Sequence, residues 1–442
     1  MKYKEYLALA IPFVISTVTQ PLLGAVDTAV VGRLGNASYI GGVAIGAVIF
    51  NTLYWLFGFL RVSTSGFSAQ SLGSGHEQDR YYAFVRPFVT ALIMSLIFIA
   101  CQTLIQNIAL SIYRPEPEVT EHAVTYFKIL IWGAPFVLLG YVNLGWLMGR
   151  KHVKETLFLQ ISMNVLNIIL DLVLVFAFEM GVAGVAYATL ISQFYGFVLG
   201  TFLICSKLNV NTLLGLKHNI FDPGTFKKMI GVNTDLFIRT VCLLVMTNMF
   251  VAKGAELGTV VLAANAVLFQ LHYIICYMYD GIANASSVFA GKSAGEKNLQ
   301  EYKEMLSISN VCTAVLSIVL SVVLILFKDP IIAAFTSIES VIAMSHEFFI
   351  WLIVLPFVIG VGLVYFGVFT GCTFTGPIRD SMILSLLLFL IAYYTLIPQY
   401  QNHGLWLAFI LFSLGRSVFL FLYRKKLMNR VFPQETGNEK WT

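Results

Sequence analysis

Charged residues are scarce in this sequence of 442 residues: they make up 12% of it, whereas 58% of residues are hydrophobic and the mean hydropathy is +0.81. A soluble domain carries roughly 25% charged residues. This chain would aggregate in water, so we predict that its solvent is lipid. The apolar run from Leu7 carries its own polar residues and is followed by many more such runs, which predicts a first membrane span rather than a cleaved signal.

Motifs for catalysis, metal binding and nucleotide hydrolysis are also missing from the sequence. The six cysteines stand singly without a C-x-x-C pair, and the seven histidines lack metal-ligand spacing. There is no Walker-type glycine-rich loop, so ATP is not expected to supply energy. We therefore predict no enzyme activity, no metal and no cofactor, with an ion gradient as the energy source.

Long apolar runs are abundant, and a helix needs about 20 such residues to cross the hydrocarbon layer. The pattern predicts an all-α polytopic membrane protein with 12 transmembrane helices in two six-helix pseudo-symmetric lobes. The predicted spans lie near 7–32, 40–72, 84–110, 123–148, 157–179, 182–205, 230–252, 260–290, 305–327, 346–371, 379–397 and 404–424. The predicted domains are an N-lobe, 1–205, a cytoplasmic linker, 206–229, a C-lobe, 230–426, and a cytoplasmic tail, 427–442.

Lysine and arginine are distributed unevenly between the two predicted sides of the membrane. Of 28 such residues, 20 lie in the segments on the side of the termini, 5 lie on the other side and 3 lie inside spans. Because cytoplasmic segments carry the excess of Lys and Arg, we predict that both termini lie in the cytoplasm. The expected location is the cell membrane, and the net charge of +5 reflects topology rather than nucleic-acid binding.

The two halves carry similar short motifs at one fixed separation. Residues 69–73 recur at 291–295, and residues 40–44 recur weakly at 262–266, both with an offset of 222. Each half has six predicted spans, so the second half enters the membrane from the same side as the first. This parallel repeat is typical of transporters with a cavity between two lobes.

The first predicted span carries a polar stripe and two prolines. Pro12 and Pro21 each remove a backbone hydrogen-bond donor, so the helix has two places to bend. The stripe, at helical spacing, consists of Ser16, Gln20, Gly24 and Asp27. Ionisable groups inside a membrane are costly and point to function, so Asp27 is a candidate proton-coupling residue.

The fifth predicted span carries a second acid, Asp171, on one face with Asn164 and Asn167. Asp171 is the second candidate for proton coupling. Polar side chains of neighbouring spans add to a candidate substrate cavity, which comprises Gln20, Tyr126, Asn143, Asn164, Asn167 and Thr189. For each amide or hydroxyl, hydrogen bonding between packed helices is the alternative interpretation.

The second half has a different set of charges. Asp235 and Arg239 stand four residues apart on the seventh span and Asp280 lies on the eighth, which predicts a charge-neutral C-lobe network. The aromatic cluster near residues 273–279 is interpreted either as interface packing or as a cavity wall for flat cations.

Several of these segments resemble the multidrug and toxic compound extrusion (MATE) family, and in particular its bacterial DinF subfamily. The segments that carry the resemblance are 24–35, 66–73, 164–171, 181–189 and 235–240. The resemblance implies two six-helix lobes in a V, a central cavity and alternating access. By motif, Asp27 resembles the coupling acid of the first span, with Asn143, Asn167, Asp171 and Thr189 as its polar neighbours.

Two departures from the family pattern shift the expected coupling towards the N-lobe. The tenth span has no carboxylate between Glu347 and Gly371, where the NorM-like branch has one. Ser286 and Ser287 stand near the end of the eighth span, where many DinF-type sequences carry an acid.

The resemblance predicts a multidrug efflux antiporter that exports lipophilic organic cations in exchange for protons. Its expected partners are cationic drugs or dyes, protons and membrane lipid, without nucleic acid or an obligate protein partner. The alternatives are a sodium-coupled drug antiporter, a flippase for lipids or lipid-linked saccharides, and a membrane channel or signalling protein.

Overall fold

A computed structural model describes residues 3–18, 30, 37–113, 116–209, 212 and 222–433, and the elements in these residues are helices. Residues up to 209 form α1 (Tyr3–Val18), α2 (Ala37–Leu56), α3 (Phe59–Gly73), α4 (Glu77–Ala100), α5 (Gln102–Tyr113), α6 (Pro117–Leu130), α7 (Ala134–Gly149), α8 (Val153–Asp171) and α9 (Gly181–Cys205). A 3-10 turn, Ile131–Gly133, joins α6 to α7, and a π-helical segment, Leu172–Ala177, continues α8.

The described part of the second half contains six helices. They are α10 (Pro223–Leu257), α11 (Thr259–Glu296), α12 (Leu299–Leu326), α13 (Lys328–Phe335), α14 (Glu339–Gly371) and α15 (Gly376–Val431). α15 is two helices joined at Gln401, whose backbone is non-helical (φ 49°, ψ −122°). That break falls in the gap between the predicted spans 379–397 and 404–424.

Ten helical stretches of the described residues are long and apolar enough to cross a membrane. Nine of them correspond to the predicted spans from 40–72 to 346–371, and the tenth is α15, which covers the last two. The first predicted span, 7–32, extends beyond the described residues. The prediction of an all-α polytopic membrane protein is confirmed.

The last part of the predicted linker, 206–229, is helical, because α10 begins at Pro223. Asp222 caps this helix: its Oδ2 accepts hydrogen bonds from the Thr225 backbone N–H at 2.8 Å and from the Thr225 hydroxyl at 2.6 Å. These bonds satisfy orphan donors of the first turn. Residues 210–221, apart from 212, lie outside the described residues.

The repeat is visible in the way the second and fourth spans of each half pack. A Cβ on Gly145 or Gly149 would meet the carbonyl oxygens of Arg61 and Ser65 on α3. At an offset of 222, a Cβ on Gly367 or Gly371 would meet those of Ala283 and Ser287 on α11. In each half a G-x-x-x-G pair therefore lets two backbones approach closely.

Contacts divide the chain into two compact units, Val18–Ile230 and Met1–Thr17 with Gly231–Thr442. α1 packs on α11 in the second of these units: the Tyr6 hydroxyl donates to the Ile282 carbonyl at 3.2 Å, and the Thr17 hydroxyl donates to the Tyr277 carbonyl at 2.7 Å. The predicted N-lobe, 1–205, groups this helix with the first half, whereas its contacts are with the second.

Candidate functional site

A buried acid and a buried amide lie at the end of α8. Asp171 is 0% exposed and Asn167, one turn earlier, is 2% exposed. The α-helix ends at Asp171 and the next six residues form the π-helical segment. At its end the N–H of Phe178, the next residue, donates to the Val173 carbonyl, five residues back, at 3.1 Å. Single π turns inside helices occur frequently at functional sites.

Asn167 carries an amide with unused hydrogen-bonding capacity. Neither its Nδ2 nor its Oδ1 has a hydrogen-bond partner among the described residues, and the same holds for Oε1 of Gln193 on α9. A buried polar atom without a partner costs about 1–3 kcal/mol. Asn167 is thus poised to receive a bond from a ligand, a water molecule or a protonated carboxyl group.

Asn143 on α7 has a structural role in this arrangement. Its Nδ2 donates to the Phe197 carbonyl at 3.2 Å and to the Thr201 hydroxyl at 3.1 Å, both on α9. Gly200 leaves room for this side chain, since a Cβ there would meet it at 2.9 Å. Of the two interpretations of this amide, the geometry favours helix–helix hydrogen bonding.

The other predicted residues of the first half that the structure describes lie on α1, α6, α8 and α9. Tyr126 is 5% exposed and its ring lies 6.4 Å from that of Phe50. Asn164 and Thr189 are half-buried, and the Thr189 hydroxyl donates to its own helix at the Val185 carbonyl at 3.1 Å. Pro12 lies inside α1. Three predicted residues lie outside the described residues: Gln20, Pro21 and Asp27.

The predicted pairing of Asp235 with Arg239 is wrong. Asp235 Oδ1 accepts from Arg379 Nη1 at 2.8 Å, and Oδ2 accepts from the Thr375 hydroxyl at 2.8 Å. Thr375 immediately precedes α15 and Arg379 lies in its first turn, so Asp235 joins α10 to the start of α15. Both oxygens of the Asp235 carboxylate accept a hydrogen bond in this arrangement, one of them from a charged guanidinium. That satisfies the carboxylate better than a single contact four residues along its own helix.

Arg239 instead belongs to a charge cluster deeper in the second unit. Its guanidinium carbon lies 4.0 Å from the centre of the Phe366 ring. Its charged neighbours are Arg416 and Asp280. Arg416 is 7% exposed, so it is a buried member of this cluster.

The described residues contain no group of three or more His, Cys, Asp or Glu side chains that could hold a metal ion. The acids of the two units are instead dispersed. Asp171 lies among amides, and Asp280 lies beside arginines.

Comparisons with known proteins agree with this architecture. The MatE family model matches residues 12–173 and 236–396. The chain is 33% identical over 413 residues to DNA damage-inducible protein F of Escherichia coli K12, covering 93% of this chain and 90% of that protein. It is 23% identical to a probable multidrug resistance protein NorM of Thermotoga maritima, covering 86% and 80%.

Solved structures show the same fold. A structure described as the outward-facing conformation of a multidrug resistance MATE family transporter matches with a TM-score of 0.87 and 19% identity, covering 97% of this chain and 96% of the other. The chain belongs to the MatE family. It is therefore a multi-pass membrane transporter, similar over most of its length to the E. coli DinF protein, in a family of multidrug and toxin efflux transporters rather than enzymes.

Proposed function

We propose that this chain is a secondary multidrug antiporter that exports lipophilic organic cations in exchange for protons by alternating access. Asp27 and Asp171 are the coupling acids in this proposal. The observation that carries it is the fully buried Asp171, one turn from Asn167, whose amide has no partner among the described residues.

The physical basis is the cost of charge inside a membrane. An ionised carboxylate there is expensive, and protonation removes the charge. A protonated carboxyl can donate a hydrogen bond, and the Oδ1 of Asn167 can accept one. Binding a proton would therefore change which helix positions are preferred. Transport follows only if the two states bind the drug with different affinities, since equal binding shifts no equilibrium.

The substrate class follows from the polar groups of the first unit. Asp171 shares its α8 stripe with the amides of Asn164 and Asn167 and with no basic residue, and the buried aromatic side chain of Tyr126 belongs to the same unit. A negative charge with aromatic neighbours favours flat lipophilic cations over anions. The relative from Thermotoga maritima carries the name of a multidrug resistance protein, which supports drugs as substrates.

The orientation proposed here has both termini and the 206–229 linker in the cytoplasm, in the cell membrane. It rests on the lysine and arginine asymmetry of the sequence. Single cysteines placed in the linker of a cysteine-free chain should resist impermeant thiol reagents in intact cells. Ready labelling of the linker would reverse the orientation.

The test of coupling is transport by the purified full-length protein in liposomes. A pH gradient should drive uptake of a cationic dye, and Asp27→Asn should fold but abolish both dye transport and proton movement linked to dye addition. The matched control is Asp222→Asn, an exposed acid that caps α10 outside the spans and should leave transport unchanged.

Other outcomes would replace parts of the proposal. Dye transport driven by a sodium gradient and insensitive to pH would make sodium the coupling ion. Movement of anionic lipid precursors without movement of cationic dyes would favour a flippase. Wild-type export by Asp27→Asn against a gradient would show that this acid does not couple transport.

A further inference from the structure

Three ionisable or polar side chains form a stripe along α11 in the second unit. His272, Cys276 and Asp280 stand four residues apart, so they share one face of the helix. His272 is 9% exposed, and the Cys276 sulfur lies 3.6 Å from its ring nitrogens. Arg416 is a charged neighbour of both His272 and Cys276. The stripe thus connects a buried histidine to the cluster of Arg239, Asp280 and Arg416.

The charges of this cluster do not balance within the described residues. Arg416 and Arg239 lie against the same face of α14: a Cβ on Gly362 would meet the Arg416 Nε at 3.3 Å, and the ring of Phe366, one turn later, lies 4.0 Å from the Arg239 guanidinium carbon. These arginines contribute two positive charges, and Asp280 contributes one negative charge. In addition, Nε of the buried Arg416 has no hydrogen-bond partner among the residues that the structure describes. Leaving a buried charge uncompensated is strongly unfavourable. An excess guanidinium at this depth indicates a place for an additional anion.

The same unit shows how this chain neutralises an arginine when only structure is required. Arg379 donates to Asp235 at 2.8 Å and to Asp380 at 2.7 Å, so one guanidinium meets two carboxylates. In the cluster the ratio is reversed, with two guanidiniums for one carboxylate. The difference sets the cluster apart from an ordinary structural ion pair.

The setting of Arg239 suits an organic anion rather than a small inorganic one. The Phe366 ring covers one face of its guanidinium at 4.0 Å, which leaves the N–H groups at the edge available for two parallel bonds to a carboxylate. Arg239 is half-buried, whereas Arg416 is 7% exposed. An aromatic side chain beside an accessible arginine matches a ligand that carries both a carboxylate and an apolar body.

We propose that Arg239 and Arg416 form a recognition site in the second unit for the carboxylate group of an amphipathic organic substrate. Asp280 competes with that carboxylate for the same guanidiniums. The site extends the proposed substrate class from lipophilic cations to molecules that also bear a carboxylate, and in this respect it rests on the proposed function.

The test uses two xanthene dyes that differ in one group: a rhodamine with a free carboxylate and its ethyl ester. Binding of each dye to the purified full-length protein is measured by fluorescence polarisation, and transport is measured in liposomes. Arg416→Gln should weaken binding of the free-carboxylate dye by at least roughly tenfold, the value of a hydrogen bond to a charged group. Binding of the ester should be unchanged.

A second variant separates recognition from a purely structural role. Asp280→Asn removes the competing carboxylate, so binding of the free-carboxylate dye should tighten by roughly tenfold. Arg416→Lys keeps the charge without the planar fork and should fall between wild type and Arg416→Gln. The matched control is Arg379→Gln, which removes a half-exposed arginine of the same unit and should affect both dyes equally or neither.

The outcomes distinguish this inference from the proposed function. If the ester is transported but Asp280→Asn weakens binding of the carboxylate dye, or Arg416→Gln weakens both dyes equally, the recognition site is refuted while drug export stands. If chloride alone binds and neither variant discriminates between the dyes, the site is not one for organic carboxylates. If neither dye is transported by wild type although the carboxylate dye binds as described, the proposed function fails and the site remains.

Discussion

The polar positions of the first half have aromatic counterparts in the second. At an offset of 222 residues, Asn143, Asn167 and Asp171 correspond to Tyr365, Phe389 and Tyr393. All three counterparts have aromatic rings, and Phe389 is 0% exposed. The second half therefore fills with aromatic rings the places where the first half holds its amides and its acid.

The converse holds for the charges of the second half. Arg239, Asp280 and Arg416 correspond to Thr17, Gly58 and Phe194. Yet the glycine pairs that bring two backbones together, Gly145 with Gly149 and Gly367 with Gly371, are present in both halves. The two halves thus share the contacts that depend on backbone shape and differ in the polar and charged side chains that they carry.

The largest effect is expected where the skeleton is shared. Gly145→Ala and Gly367→Ala each place a Cβ against a backbone carbonyl oxygen that cannot rotate away, so each should cost about 3 kcal/mol of stability. Melting temperatures of purified protein in detergent would measure this. Gly140→Ala, whose Cβ would meet nothing within 4 Å, is the control and should be neutral or slightly stabilising. Tolerance at only one of the two equivalent glycines would break the structural equivalence of the halves.

A smaller loss is expected at a polar contact found in the second half alone. Asn265 exchanges hydrogen bonds with Asn402 at 2.8 and 3.1 Å and accepts one from the Trp406 indole at 2.9 Å. Position 43, its counterpart, is valine. Asn265→Ala leaves two buried donors unpaired and should cost about 2 kcal/mol, read as a fall in melting temperature.

The control for this change is Asn248→Ala, an exposed amide that donates only to its own helix at the Leu244 carbonyl. It should have little effect on stability. An equal loss in the two variants would mean that the Asn265 contacts add nothing beyond helix propensity.

The third expectation concerns transport rather than stability. Asp171→Asn should reduce proton-coupled dye export by roughly tenfold, about 1.4 kcal/mol, because Asp27 remains as the loading acid in the proposed mechanism. Asp235→Asn removes an acid already paired with Arg379 and should leave the number of protons per dye unchanged. Counter-transport of protons and dye in liposomes would measure both. A loss of coupling on Asp235→Asn alone would move the coupling site to the second half.

The smallest effect is expected between α7 and α8 of the first unit, where His152 stands and the second half has Phe374. Burial, and then the charge of Lys207, lower the pKa of His152, against an opposing contribution from Glu155. The unfolded chain then binds the proton more readily. The folded protein therefore has its full stability above the ordinary histidine pKa of about 6.5. It loses stability as the pH falls from there through the lower pKa of His152 in the folded state.

We expect the melting temperature of wild type to fall on going from pH 7 to pH 5 by more than that of His152→Gln, with a difference on the order of 1 °C. His76→Gln, at an exposed histidine that precedes α4, is the control. A steeper pH dependence in His152→Gln than in wild type would reverse the sign of this argument.

Much of the fold follows from the sequence because its causes are local. Apolar run length locates the spans, and a common offset reveals the repeat. Side-chain partners across helices do not follow in this way. Asp235 has Arg239 four residues along its own helix, yet it binds Arg379, which lies 144 positions further along the chain. The burial of Arg416 is likewise decided by tertiary packing. The sequence shows only that Arg416 is one of three basic residues inside the apolar spans.

The candidate site shows the same limit. Asn143, Asn167 and Asp171 were all predicted as polar neighbours, and all three are buried. What the sequence cannot show is that the Nδ2 of Asn143 is occupied by α9, whereas neither amide atom of Asn167 has a partner among the described residues. Both are asparagines in apolar helices, and only the packing distinguishes them.

The wide turn that follows Asp171 has a consequence for how this chain tolerates insertions and deletions. A π-helical turn holds one residue more than an α-helical turn, and each residue of an α-helix rotates it by about 100°. Deleting one residue within Leu172–Ala177 would restore an ordinary helix with an equally apolar sequence. Side chains beyond the deletion would keep about the same direction relative to Asp171, because six π-helical residues rotate the chain about as far as five α-helical residues. This segment can therefore hold one residue more or fewer while Asp171 and the residues that follow the segment keep their relative directions.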